Sequence, residues 1–302
     1  MHLGLSVYDI APSELVELAT AAESAGFRTL WLGEHVVLPI DYRAEHPATA
    51  SPTNRAHIPR IIDPSTHLLD PLIALGAVAA ATDRLQLATG IYLLPLRHPL
   101  AVARMTLTLQ DLAGGRFMLG VGSGWLEEEF AALGVPFAER GPRFDESLVV
   151  LRRAWAGGEF AHDGTYFPFD RVMATAVPVD VPLVLGGNSE RALGRAARLA
   201  DGWFSSGNPT FEEAVRLRSR LRELCDGVGR SRPLPLYVRM AGRDPGELVR
   251  YADHGFEHVT VWASELWPSD GDPASKRARF IDASAELIGA VDGAMESVQA
   301  RR

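Results

Sequence analysis

The sequence predicts a (β/α)8 TIM barrel with an insertion after the second strand and a hairpin insertion before the fifth. Three observations predict it. Short apolar runs alternate with helical patterns along the whole chain. The apolar runs are near-continuous, as in parallel strands covered on both faces. Eight such strand–helix units can be counted, the number that closes a parallel sheet on itself. A doubly wound open sheet is the alternative that the same pattern allows.

The elements follow in order. Strand Leu3–Val7 leads to helix Pro12–Ala25, which has proline near its start, Leu15, Leu18, Ala19 and Ala22 on one face, and Gly26 just past its end. Strand Thr29–Gly33 opens into Glu34–Leu69, a proline-rich segment with His46, His57 and His67. It is too long for an ordinary connection and lies at a strand's carboxyl end, where barrels build their sites. Helix Asp70–Ala81, strand Leu85–Gly90, helix Pro99–Leu112, strand Phe117–Val121 and helix Arg140–Ala156 continue the alternation. In Gly157–Asp180 the run EFAHDGTYFPF reads as a β-hairpin turning at Asp163–Gly164. Strand Pro182–Gly186, helix Ser189–Leu199, strand Gly202–Ser205, helix Thr210–Val228, strand Leu234–Arg239, helix Asp244–Asp253, strand His258–Trp262 and helix Arg277–Asp292 complete the set. No Pro/Gly/Ser linker divides residues 1–302, so one domain is expected.

Composition removes several function classes. Net charge is −8 and there is no basic block, which argues against a nucleic-acid partner. No run approaches the ~18 apolar residues of a membrane span. The N-terminus MHLGLSVYDIAP lacks the marks of a signal peptide, and Cys225 is the one cysteine, so a cytoplasmic protein is expected. Cys225 sits at a helical position as a small buried hydrophobe. Of 30 basic residues only Lys276 is a lysine, in the polar stretch GDPASKRAR, which argues against Schiff-base and pyridoxal-phosphate chemistry. No metal-ligand spacing is present, and His254 and His258 are separated by Gly255 and the start of a strand.

The stretch GRFMLGVGSGW begins as a strand and then loses its side chains. Gly120, Gly122 and Gly124 do not have the dinucleotide-binding spacing. Ser123 in G-x-S-x-G would suit a hydrolase nucleophile elbow only on an open sheet. Small residues recur at other strand ends: Ser6, Gly90, and Gly186 with Gly187. Together they describe one rim where a broad flat ring could lie against backbone. The turn Gly186-Gly187-Asn188-Ser189 runs into a helix whose first N–H groups suit an anion.

The segments WLGEHVVLP, ATGIYLLPLRHPL, LAGGRFMLGVGSGWLEEEFAALGVPFAERGPRFDE and PLVLGGNSERALGRAARLADGW resemble the bacterial luciferase-like family of flavin- and coenzyme F420-dependent oxidoreductases. The resemblance covers nearly the entire chain and is nearest to the F420-dependent group. It implies a TIM barrel and a cofactor, F420 or alternatively FMN. Ser6, Gly90, Ile91, Gly122, Ser123, Gly124, Trp125, Glu128, Leu185, Gly186, Gly187 and Asn188 would bind that cofactor. It also implies a cis peptide at Gly90–Ile91. His35 and Glu34 match the family's acidic-His pair, His35 handling a proton and Glu34 orienting it. Imidazole suits that task because it titrates near neutral pH. Sugar-phosphate dehydrogenases of the family grip phosphate with lysines that this chain lacks. Tyr92, Trp203, Phe204 and Trp262 instead suggest a more apolar pocket.

The expected activity is hydride transfer between the deazaflavin and a small organic substrate. The alternatives are a two-component monooxygenase using reduced FMN, served by a flavin or F420 reductase, a non-catalytic cofactor-binding protein, and a glycoside hydrolase on a plain barrel. A homodimer is expected from the resemblance.

Overall fold

The computed structural model describes residues 1–46 and 65–300, with side chains placed through Glu296. The strands are β1 (His2–Val7), β2 (Thr29–Leu32), β3 (Gln86–Thr89), β4 (Tyr92–Leu93), β5 (Phe117–Gly122), β6 (Glu159–His162), β7 (Phe169–Met173), β8 (Leu183–Gly186), β9 (Gly202–Phe204), β10 (Leu236–Arg239) and β11 (His258–Trp262). The helices are α1 (Leu15–Ala25), α2 (Pro71–Ala81), α3 (Pro99–Leu112), α4 (Glu127–Ala132), α5 (Arg140–Trp155), α6 (Glu190–Leu199), α7 (Phe211–Gly227), α8 (Pro245–Asp253) and α9 (Pro273–Ala300).

Eight of these strands close a parallel ring in the order β1-β2-β3-β5-β8-β9-β10-β11. The pairings Leu87↔Phe117 and Ala88↔Met118 join β3 to β5, and Ser6↔Trp262 joins β1 to β11. An open sheet would leave one of these seams unpaired, so the chain is a (β/α)8 barrel. The short strand β4 adds to β5 at the barrel's carboxyl end, through Leu93↔Gly122.

The helices start where the sequence supplies caps. Asp70 accepts the amides of Leu72 and Ile73 at 3.0 Å, and Pro71 follows it at the first helical position. Ser189, Thr210 and Asp244 cap α6, α7 and α8 in the same way. Helix α1 begins at Leu15, three residues later than the proline suggested, because Glu14 offers no side-chain cap. The final helix extends beyond the expected Arg277–Asp292 at both ends.

Two apolar layers result from the strand pleat. Outward residues such as Leu30, Leu32, Leu119, Leu183 and Leu185 join the helices in one large core. Inward residues Trp31, Ala88, Met118, Val184, Phe204 and Tyr237 form a second cluster inside the barrel. Trp31 and Phe204 stack there with ring centroids 4.4 Å apart. Tyr92 and Trp203, considered for a ligand pocket, are fully buried in the outer layer instead.

The hairpin before the fifth barrel strand is present, but its turn is wider than Asp163–Gly164. Strands β6 and β7 leave residues 163–168 between them. Glu146 on α5 organises that turn by accepting the amides of Thr165, Tyr166 and Phe167. The sequence pattern could not show a long-range carboxylate replacing a tight turn.

Candidate active site

The site is the carboxyl end of the barrel. Its floor is built around Ile91, which follows a cis peptide at Gly90–Ile91 and packs against the inner cluster. Gly122 ends β5 and Gly186 ends β8. A Cβ at Gly122 would lie 2.6 Å from Ile91 Cδ1, and one at Gly186 would lie 2.9 Å from Ile91 Cγ2. The glycines therefore make room for Ile91, and the expectation that their missing side chains leave an open rim is corrected. Gly124 differs again. Its φ is +80°, and a Cβ there would meet the Phe130 ring at 2.6 Å, so it turns the chain tightly over α4.

The catalytic pair also rearranges. Both Glu34 and His35 are buried after β2, yet they face different partners. Glu34 accepts the Leu93 amide at 2.7 Å and forms a two-pronged ion pair with Arg97. It clamps the segment after Ile91 and does not orient His35. Burial pushes its carboxyl up to about 7 against the pull of Arg97 and the Leu93 amide. His35 is held by Glu129 of α4, with Nδ1 2.8 Å from Oε2. The other oxygen of Glu129 accepts the Val36 amide at 2.5 Å. The residue is fully buried.

This arrangement sets the tautomer. A carboxylate that accepts a backbone N–H on one oxygen presents an acceptor on the other, so His35 Nδ1 carries hydrogen and donates. In neutral His35 the proton-accepting nitrogen is then Nε2. Among the described residues Nε2 makes no hydrogen bond.

Three rings surround the imidazole. Trp125 stands edge-on at 5.8 Å, Tyr8 at 6.1 Å, and His46, from the segment after β2, meets Trp125 at 5.1 Å. Burial lowers the pKa of His46 to about 4, so it is neutral near pH 7. Tyr8 has a buried hydroxyl without a partner, and burial raises its phenol pKa.

The other expected cofactor residues fall into different groups. Ser6 is buried, and its hydroxyl accepts from Arg239 Nε at 3.1 Å. Leu185 turns its side chain to the helices, leaving only backbone toward the rim. Glu128 accepts the Arg43 amide at 2.7 Å and so anchors the segment after β2. Asn188 bridges to Ser206 by two hydrogen bonds of 2.8 and 2.9 Å, bracing the loop after β9. Ser123 and Gly187 remain partly exposed on the rim, and Gly187 O accepts from Trp203 Nε1 at 2.8 Å. His67 pairs with Asp9 at 3.1 Å, and His57 lies outside the described residues.

Sequence reasoning missed Glu129, Tyr8, His46's place and Arg239. Glu129 was hidden in the run Glu127-Glu128-Glu129, read without a helix. The signal was available: α4 buries every third or fourth residue, and Glu129 adjoins Phe130 on the buried side. Arg239 was visible only as the last inward position of a strand.

An orphaned tyrosine hydroxyl, an imidazole nitrogen without a partner and a raised floor at Ile91 suit a broad, flat heteroaromatic ring with polar edges. Among the described residues no cluster of histidine, cysteine and acidic groups could hold a metal. No helix among them is long and apolar enough to cross a membrane.

Comparison with known proteins agrees with this geometry. Residues 2–259 match the family model described as luciferase-like monooxygenase. An uncharacterized protein of Mycobacterium tuberculosis (strain ATCC 25618 / H37Rv) is 34% identical over 269 residues, covering 86% of this chain and 90% of its own. An F420-dependent glucose-6-phosphate dehydrogenase of Beutenbergia cavernae is 32% identical over 231 residues, 75% of this chain and 61% of that protein. The crystal structure of the monooxygenase RslO1 from Streptomyces bottropensis superposes with a TM-score of 0.72 at 20% identity, covering 95% of this chain and 98% of that one. The chain belongs to the luciferase-like monooxygenase family.

Proposed function

We propose that the protein is an F420-dependent oxidoreductase that moves a hydride between the deazaflavin and a small organic substrate. The observation that carries this reading is His35, fixed by Glu129 at the barrel mouth with Nε2 unpartnered beside the Ile91 floor. A hydride leaving or reaching an alcohol carbon must be matched by a proton at oxygen, and a single oriented imidazole supplies that transfer. The relative named as an F420-dependent dehydrogenase supports the choice of cofactor.

When bound, the deazaflavin supplies a carbon that accepts or donates hydride. Ile91 would support its ring from below, and the backbone at Gly122, Ser123 and Gly187 would border it. The first amides of α6 would face its anionic arm. His35 Nε2 accepts the substrate hydroxyl proton in oxidation and returns it in reduction, while Glu129 stabilises the imidazolium. Trp125 and His46 wall the substrate side and restrict water. The absence of a lysine from the site weighs against a sugar phosphate as substrate, since Lys276 is paired with Glu14 at 2.7 Å.

The test is titration of the protein with F420 and with FMN, followed by fluorescence, and then oxygen uptake during turnover. Saturable F420 binding and turnover without oxygen uptake are expected. Binding of FMN alone, with oxygen consumed in proportion to substrate, would replace this reading with a flavin monooxygenase of the same fold.

A further inference from the structure

Arg239 ends β10 and points into the barrel mouth. It is only 7% exposed. Its Nε donates to Ser6 Oγ at 3.1 Å, and its guanidinium lies over two rings, 4.0 Å from the Trp262 centroid and 4.8 Å from that of Phe204. Among the described residues no carboxylate pairs with it. The other arginines near the mouth are different: Arg97 is neutralised by Glu34. A buried charge without a counter-ion is unfavourable, and natural chains pair such groups unless something else supplies the charge. Burial alone lowers the pKa of Arg239 to about 9, with no acid opposing the shift, yet it remains cationic near pH 7.

We propose that Arg239 is a specificity residue that receives the carboxylate of a monoanionic organic substrate at the barrel mouth. The geometry supports a planar monoanion in particular. Nε is committed to Ser6, which leaves the two Nη groups without protein partners, and neither is sealed from the mouth. Two parallel N–H groups match the two oxygens of a carboxylate. The rings of Trp262 and Phe204 hold the fork flat. The charge count favours one negative charge over two. His46, which shares the mouth, is neutral near pH 7, and His35 is balanced by Glu129. A phosphate dianion would find one cation where it needs two. The neighbouring aromatic surface then suits an apolar body attached to the carboxylate.

This inference deepens the proposed function, and the two can fail separately. The probe is benzoate, with benzamide as the neutral isostere and inorganic phosphate as the dianion control. Binding to the full-length protein is read by tryptophan fluorescence, to which Trp262 beneath the guanidinium contributes, and by calorimetry. Benzoate should bind saturably and at least about tenfold more tightly than benzamide, with phosphate weaker than benzoate. Arg239→Gln should abolish the preference for benzoate, and Arg239→Lys should restore part of it. Equal binding of benzoate and benzamide to the wild type, or a preference for phosphate, overturns the proposal. That comparison needs no variant, so it decides the matter even if Arg239→Gln does not fold. F420 and FMN titrations of the same samples test the cofactor reading: no cofactor binding alongside intact benzoate discrimination would remove that reading and leave the role of Arg239 standing.

Discussion

His35 and Glu129 act as a unit, and substitution separates chemistry from scaffolding. His35→Asn keeps a polar group but cannot move a proton near neutral pH, so kcat should fall about 10²–10⁴-fold while F420 affinity is kept. Stability should fall as well, by roughly 1–3 kcal/mol, because Glu129 is buried and loses one of its donors. Steady-state kinetics beside urea unfolding checks both halves. Turnover within about threefold of wild type would send the search for the proton carrier to Tyr8. Glu129 is a positioning residue. Glu129→Gln should lower kcat with KM little changed and shift the histidine limb of the pH profile toward acid, since the imidazolium loses its counter-charge. A purely structural role would leave that limb in place. Glu34 offers a different pH test. Its carboxyl is pushed up to about 7 from the ordinary 4.5. Between those values the folded protein holds a proton that the unfolded chain has released, so the contribution to stability falls as pH rises from 4.5 to 7. Unfolding at several pH values should show wild type losing ground to Glu34→Gln across that window. A constant difference would mean that Arg97 keeps Glu34 ionised throughout.

Elements place these residues, and the floor shows how. Strands β5 and β8 turn Gly122 and Gly186 inward, and the segment between β3 and β4 drops Ile91 into the hollow they leave. Gly122→Val adds bulk against the far end of Ile91, a flexible side chain. The expected outcome is a folded protein whose Ile91 is lifted toward the mouth, with cofactor affinity reduced at least about tenfold by crowding of the ring. Thermal melts and F420 titration read the two effects independently. Gly122→Val together with Ile91→Ala should recover part of the binding, because the hollow is then shared by one branched side chain. If the double variant binds no better than the single one, Ile91 is not the coupling element.

At the scale of the whole molecule, the adjacent helices α2 and α3 expose Ile73, Leu112 and Met105, at 79%, 62% and 37% of their surfaces. Apolar exposure of this size on neighbouring helices suggests a partner surface. We expect a homodimer through α2 and α3. Light scattering at micromolar concentration should give twice the 32.8 kDa chain mass, and Ile73→Asp with Leu112→Asp should shift the protein to monomer without unfolding it. A monomeric wild type would instead leave these side chains as ordinary surface.

The sequence by itself determined the barrel, because strand count, helix caps and apolar periodicity are local properties that repeat along the chain. It also placed His35 and Trp125 at the mouth, since both follow barrel strands. Tertiary structure alone decided who holds whom. Glu34 was adjacent to His35 in sequence yet turned to Arg97, while Glu129, 94 residues away, became its partner. Gly122 and Gly186 looked like vacated positions, yet the space beside each belongs to Ile91. The unpaired charge of Arg239 likewise follows from a ring of eight strands that buries its guanidinium among aromatic rings without an acid in reach. A single sequence shows which side chains exist and which face of an element they occupy. Which of them meet across the barrel mouth is set by closure of the sheet, and no local pattern encodes those distances.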